Sequence, residues 1–233
     1  MTDLPGIPSR RNFLKASAAT VALVGVAAQA KAKETAAAVP LDEYKPEYLN
    51  AVEWAFVMAA TARLIPSEGD GPGALEARVP VFIDLQLAGD YGTAEDWYMA
   101  GPHDPTVAAD RGWQTPLNPA EVYRKAIPLV DDWCRTTHGA IFAELEADKQ
   151  DATLTALQKG EVTLPPDVTI FFTTLLANTK EGYFADPMYG GNHGMASWVY
   201  IGFPGARAAF REWPTRHNIK YPLGPVSIKG ERA

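Results

Sequence analysis

Four histidines are the first residues to weigh as acid, base or metal ligand. His103, His138, His193 and His217 lie far apart, and no two stand at an HxH, HxxxH or HExxH spacing. Isolated histidines of this kind are hydrogen-bonded structural residues more often than ligands. His193 sits in Gly190-Gly191-Asn192-His193-Gly194, where backbone amides could face an anion or substrate. His138 precedes Gly139 and suits a helix C-terminus, where its cationic form meets partial negative charge. Carboxylates pair at Asp131-Asp132 and at Glu144 with Glu146. Adjacent residues on a helix point about 100° apart, so Asp131 and Asp132 do not converge as a dyad and read as solvated. The one thiol, Cys134, excludes an internal disulfide, a CxxC zinc site and a CxxCH haem attachment.

The glycine-rich segments are no more specific. Gly69-Asp70-Gly71-Pro72-Gly73 precedes a helix without a strand before it and lacks the lysine of a P-loop. Gly190-Gly191-x-x-Gly194 lacks the strand, turn and helix of a dinucleotide fold. There is no GxSxG, and the thiol has no evident base partner. The sequence thus predicts no catalytic, cofactor-binding or metal site in this chain.

A different chemistry is written at the N-terminus. Ser9-Arg10-Arg11-Asn12-Phe13-Leu14-Lys15 precedes a 13-residue apolar run from Ala16 to Ala28, then small-x-small cleavage sites at Ala28-Gln29-Ala30 and Ala30-Lys31-Ala32. That is the order of an export signal. The run is too short to span a hydrocarbon core about 30 Å thick at about 1.5 Å per residue. Arg10, Arg11, Phe13, Leu14 and Lys15 match the twin-arginine pattern SRRxFLK at every defined position. Twin-arginine export moves folded proteins, mostly ones that load a cofactor in the cytoplasm. Either this chain holds a cofactor or it travels with a partner that does.

The elements that position these residues belong to an ordinary folded protein, of 233 residues with 47% hydrophobic, 21% charged and 10% aromatic content. Arg10, Arg11 and Lys15 against Asp3 give residues 1–30 a net +2, so the chain's −7 leaves −9 on residues 31–233. That balance argues against nucleic acid or an anionic membrane surface as the main partner. Residues 31–45 read as a flexible leader, and 46–233 as one domain.

Leu49, Val52, Ala55, Phe56, Ala59, Ala60 and Leu64 predict a helix over 46–65. A second helix is expected over 74–88, kinked by Pro80, and a long irregular connection over 89–117. Asn118, Pro119 and Glu121 form a capping signal for a helix with the stripe Val122, Tyr123, Ala126, Ile127, Val130, Trp133 and Cys134, ended by Gly139. A shorter helix runs from about Asp148 to Lys159. Another opens at Pro165-Pro166-Asp167, with Val168, Phe171, Phe172, Leu175 and Leu176 on one face. The fold class is mainly α, an irregular domain of about five helices.

Residues 183–233 form an extended aromatic, Gly- and Pro-rich C-terminal region. Nine aromatics and no leucine fall within 183–221. Such rings serve either as an interface core or as cover for the chain's own helices. Cys134 reads either as a buried thiol in the stripe with Ile127 and Val130 or as a bridge to another chain.

Phe184-Ala185-Asp186-Pro187-Met188-Tyr189-Gly190-Gly191-Asn192, followed by Trp198 and Ile201-Gly202-Phe203-Pro204-Gly205, closely resembles the signature of the gluconate 2-dehydrogenase subunit 3 family. His138-Gly139 with Phe142 and Leu145, then Gln150-Asp151 and Leu154 to Gly160, is similar to its middle section. The resemblance runs from about Glu47 to Gly205. It implies a small, non-catalytic subunit of a membrane-bound sugar or sugar-acid dehydrogenase. A large flavoprotein of the glucose–methanol–choline type would bind FAD, and a multihaem cytochrome c would carry haem c. The small subunit would bear the twin-arginine signal and export the flavoprotein with it, placing the complex in the periplasm at the inner membrane. Tyr183, Phe184, Tyr189, Asn192, Trp198 and Phe203 are the partner-interface candidates, and Cys134 is the candidate for an intersubunit disulfide. The alternative is an independently exported periplasmic enzyme or binding module.

Overall fold

The computed structural model describes residues 39–233 apart from 105, 108–110, 212 and 220. The export signal (Arg10, Arg11, Phe13, Leu14, Lys15), the cleavage residues Ala28 and Ala30, and most of the leader lie outside the described residues. The chain divides into two units, Met1–Tyr44 and Lys45–Ala233, and every described helix belongs to the second.

Asn50 starts helix α1 (Ala51–Leu64) with a reciprocal capping box: its side chain accepts from Val52 N and Glu53 N, and Glu53 Oε2 accepts from Asn50 N at 2.9 Å. The buried face is Glu53, Phe56, Val57, Ala60 and Thr61, whereas Val52 is half exposed. The apolar stripe is therefore rotated from the one its spacing suggests. Glu53 faces inward because it also pairs with Arg124, and Thr61 satisfies its hydroxyl by donating to Val57 O at 2.8 Å.

Helix α2 (Val79–Ala88) differs from expectation at its start. Residues 74–78 are turns, and Arg78 adopts left-handed backbone at φ 57° before Pro80 takes a place in the first helical turn. Proline in that turn costs no intrahelical hydrogen bond, so Pro80 opens the helix rather than kinking it. Within the expected irregular stretch, Asp90–Thr93 forms a one-turn helix, α3.

The capping signal at Asn118 holds. Helix α4 (Pro119–His138) has the complete box with Glu121 and ends at Gly139 with φ 89°. Helix α5 (Ala147–Lys159) ends at Gly160, again left-handed at φ 70°. Pro166–Val168 forms a 3₁₀ turn, and helix α6 (Phe171–Phe184) begins only after it. A short helix α7 spans Ala196–Ile201. The described residues thus hold seven α-helices: the five expected, three of them (α1, α2 and α6) with later starts, and the short α3 and α7.

The core lies between the five longer helices. Phe56 packs against Phe142 and Phe171 at 4.7 and 5.9 Å between ring centroids, and Tyr123 meets Phe171 edge-on at 5.3 Å. Gly182 lets α6 approach α2, since a Cβ there would lie 2.7 Å from the Phe82 ring. Beyond α7 the chain forms isolated β-bridges, Gly205 with Val226 and Val226 with Arg232.

Candidate functional site

The segment after α6 is held by backbone-directed hydrogen bonds from a few polar side chains. One oxygen of Asp186 accepts from Met188 N at 3.1 Å, and the other accepts from Ile228 N at 2.6 Å. The C-terminal segment is thereby tied to the turn Pro187–Tyr189. Gly190 and Gly191 follow because nothing larger fits. A Cβ at Gly191 would sit 2.2 Å from the Gly182 carbonyl oxygen, and Gly190 has φ +93° with Leu85 alongside.

Asn192 is fully buried, with left-handed backbone at φ 43°. Its Nδ2 donates to Ala185 O at 2.9 Å, and its Oδ1 accepts from Ser197 N at 3.0 Å. Ser197 Oγ lies 2.5 Å from Tyr183 O and 2.6 Å from Asn192 Oδ1. Trp198 Nε1 donates to Phe184 O at 2.9 Å, and the Trp198 ring meets Phe203 edge-on at 5.1 Å. Tyr183 donates its hydroxyl to Pro72 O at 2.7 Å.

This network sorts the interface candidates into two groups. Tyr183, Asn192 and Trp198 are 6%, 0% and 6% exposed; they are internal to this chain, and their reading as contact surface is corrected. Phe184, Tyr189 and Phe203 are 45%, 46% and 44% exposed. They are what the buried group presents. Between α2 and α6 beside them lies a groove of about 460 Å³, lined by Phe82, Gln86, Glu181, Phe184, Ala185, Asp186 and Tyr189.

The histidines are not brought together. His193 is exposed and its backbone N–H donates to Ala77 O at 3.2 Å, so that amide is not turned toward an anion. His138 ends α4 with its ring against Trp133 at 5.5 Å. His103 lines a separate cavity with Trp97 and Trp113, and His217 is exposed. Among the described residues no group of three His, Cys, Asp or Glu side chains could hold a metal ion.

Asp131 corrects the reading of a solvated pair. It is 2% exposed and accepts from Phe142 N at 3.0 Å, while Asp132 is exposed and pairs with Arg135 at 2.5 Å. Burial pushes the Asp131 carboxyl above the usual carboxylate range. Cys134 is fully buried, 3.8 Å from Thr153 Oγ1, and burial pushes its thiol up to about 11. Two polar anchors are absent from the sequence-based expectations. Fully buried Asp84 accepts from the amides of Glu47, Tyr48 and Leu49 at 2.7, 3.0 and 2.9 Å. Asn178 links Tyr91 and Tyr123 at 2.9 and 3.1 Å. Asp84 does carry a signal in the sequence: it is a lone carboxylate directly after the apolar run Val79–Ile83.

Among the described residues no helix is long and apolar enough to cross a membrane. No curated protein and no solved structure matches the chain. The profile of the twin-arginine translocation pathway signal sequence matches residues 8–27, which marks the chain for export by that route. The profile described as gluconate 2-dehydrogenase subunit 3 matches residues 51–205, from the first turn of α1 through the glycine-rich loop and α7 to Gly205, and over that span the chain belongs to the gluconate 2-dehydrogenase subunit 3 family.

Proposed function

We propose that this chain is the non-catalytic small subunit of a periplasmic sugar or sugar-acid dehydrogenase. It carries the export signal for a folded flavoprotein of the glucose–methanol–choline type and stabilises it. FAD belongs to that large subunit. A multihaem cytochrome c holds haem c and passes electrons to the inner membrane, where the complex sits.

The observation that carries this reading is one chain joining a twin-arginine signal at residues 8–27 to a dehydrogenase-subunit domain at 51–205. A signal for folded cargo is of use to a flavoprotein that acquires its cofactor before crossing the membrane. The chain's own chemistry is that of a scaffold: its buried polar groups bind backbone amides and carbonyls, which fixes loops rather than polarising a substrate.

The test is Arg10→Lys with Arg11→Lys. Lysine keeps the charge but lacks the planar guanidinium fork that a receptor can read. The flavoprotein is expected to remain in the cytoplasm with its flavin bound, read by fractionation and flavin fluorescence. Normal periplasmic dehydrogenase activity in the double variant would overturn the proposal.

A further inference from the structure

The groove beside Tyr189 is built for a positive charge on an aliphatic stem. Phe82, Phe184 and Tyr189 line it, and aromatic faces attract cations through their quadrupoles. Glu181 and Asp186 add two carboxylates to the lining, and the described lining side chains include no lysine, arginine or histidine. Both oxygens of Asp186 already accept backbone amides, which leaves exposed Glu181 to meet a new donor.

The groove opens onto an apolar face. Phe184, Met188, Tyr189 and Phe203 are 40–46% exposed. Trp198 joins Phe184 to Phe203 from beneath, bonding the carbonyl of one and touching the ring of the other. Large side chains bury roughly 150–250 Å² each, so at under half exposure these four still offer roughly 300–400 Å², enough for the centre of an interface of ~800 Å² per partner.

We propose that this face seats the flavoprotein subunit, with an arginine or lysine side chain of that subunit inserted between α2 and α6. The assignment rests on the function proposed above. The charge of −9 on residues 31–233 also favours a partner whose contact surface is basic.

The test co-expresses the full-length, tagged chain with its flavoprotein and reads flavin absorbance per captured chain. Glu181→Lys places a cation where the partner's cation sits. It is expected to lower captured flavin about tenfold or more, and Tyr189→Ala to lower it as well, with the melting temperature of the tagged chain unchanged by Glu181→Lys. Tyr98→Ala, at an 86% exposed aromatic in another loop, is expected to leave capture unchanged. Normal flavin capture by Glu181→Lys overturns the docking face and leaves the exported-subunit reading standing. Failure of the unaltered chain to bring down any flavoprotein overturns both. Dimers of this chain that Tyr189→Ala dissolves, with flavin capture intact, would make the face a self-contact and overturn the proposal.

Discussion

Asp131 gives the domain a pH dependence that comes from burial. Its carboxyl is raised above its ordinary 3.8 chiefly by burial, with the Phe142 amide opposing. The folded chain therefore binds this proton more tightly than the unfolded chain. Stability from this group falls as pH rises through the raised value and is regained as pH drops toward 3.8. Asparagine keeps an oxygen for the Phe142 amide and removes the charge. Asp131→Asn is expected to be at least as stable as the parent at pH 7, with the advantage shrinking by pH 4, measured as denaturant midpoints at both. A variant weaker at pH 7 than at pH 4 would mean that the buried charge is favourably paired. The spacing already carries the burial: 131 falls four after Ile127 and three before Cys134, on the face that the apolar stripe defines. Cys134 shares that face. A thiol raised to about 11 and fully buried should label only after denaturation, and non-reducing electrophoresis of the complex should show no covalent heterodimer. A covalent band lost in Cys134→Ser would reverse that expectation.

At the scale of elements, local chemistry foretells some boundaries and tertiary contacts set others. Asn118 with Pro119 and Glu121, and the glycines after α4 and α5, act through their own backbones, so their positions are readable. The start of α2 is not, because Arg78 takes a left-handed conformation at φ 57° that no propensity foretells. The phase of α1 departs from its apolar spacing because Arg124, 71 positions away, draws Glu53 inward. In the loop after α6, residue types are legible but their direction is not. Aromatic texture is the same for rings that fill a core and rings that face outward, and only packing separates Trp198 from Phe203. The glycines of that loop yield a sharp expectation. Gly191→Ala drives a Cβ into the Gly182 carbonyl, so the loop must move away from α6. A cost of about 1–3 kcal/mol is expected for such overpacking, seen as a lower melting temperature with a nearly unchanged far-ultraviolet helical signal, since the longer helices do not depend on this contact. Unchanged melting would show that the loop is not held against α6 in solution.

For the whole molecule, the central matter is how a domain and its address depend on each other. The family match covers the helices and the glycine-rich loop, while the export signal precedes them. A twin-arginine route carries the domain already folded. A route that threads an unfolded chain would break that order. Replacing residues 1–30 with a general secretory signal therefore isolates the address from the fold. The domain is expected to reach the periplasm and refold there, because the described core closes on itself through Phe56, Tyr123, Phe142 and Phe171 and Cys134 is its only cysteine, leaving no internal disulfide to form. The flavoprotein is expected to stay behind, since the two would never meet as folded proteins on the same side of the membrane. Immunoblots of the fractions should show this subunit outside and the flavin-loaded partner inside. Periplasmic dehydrogenase activity from that chimaera would mean that the partner crosses independently and that assembly follows export, which would reduce the twin-arginine signal to an address for this subunit alone.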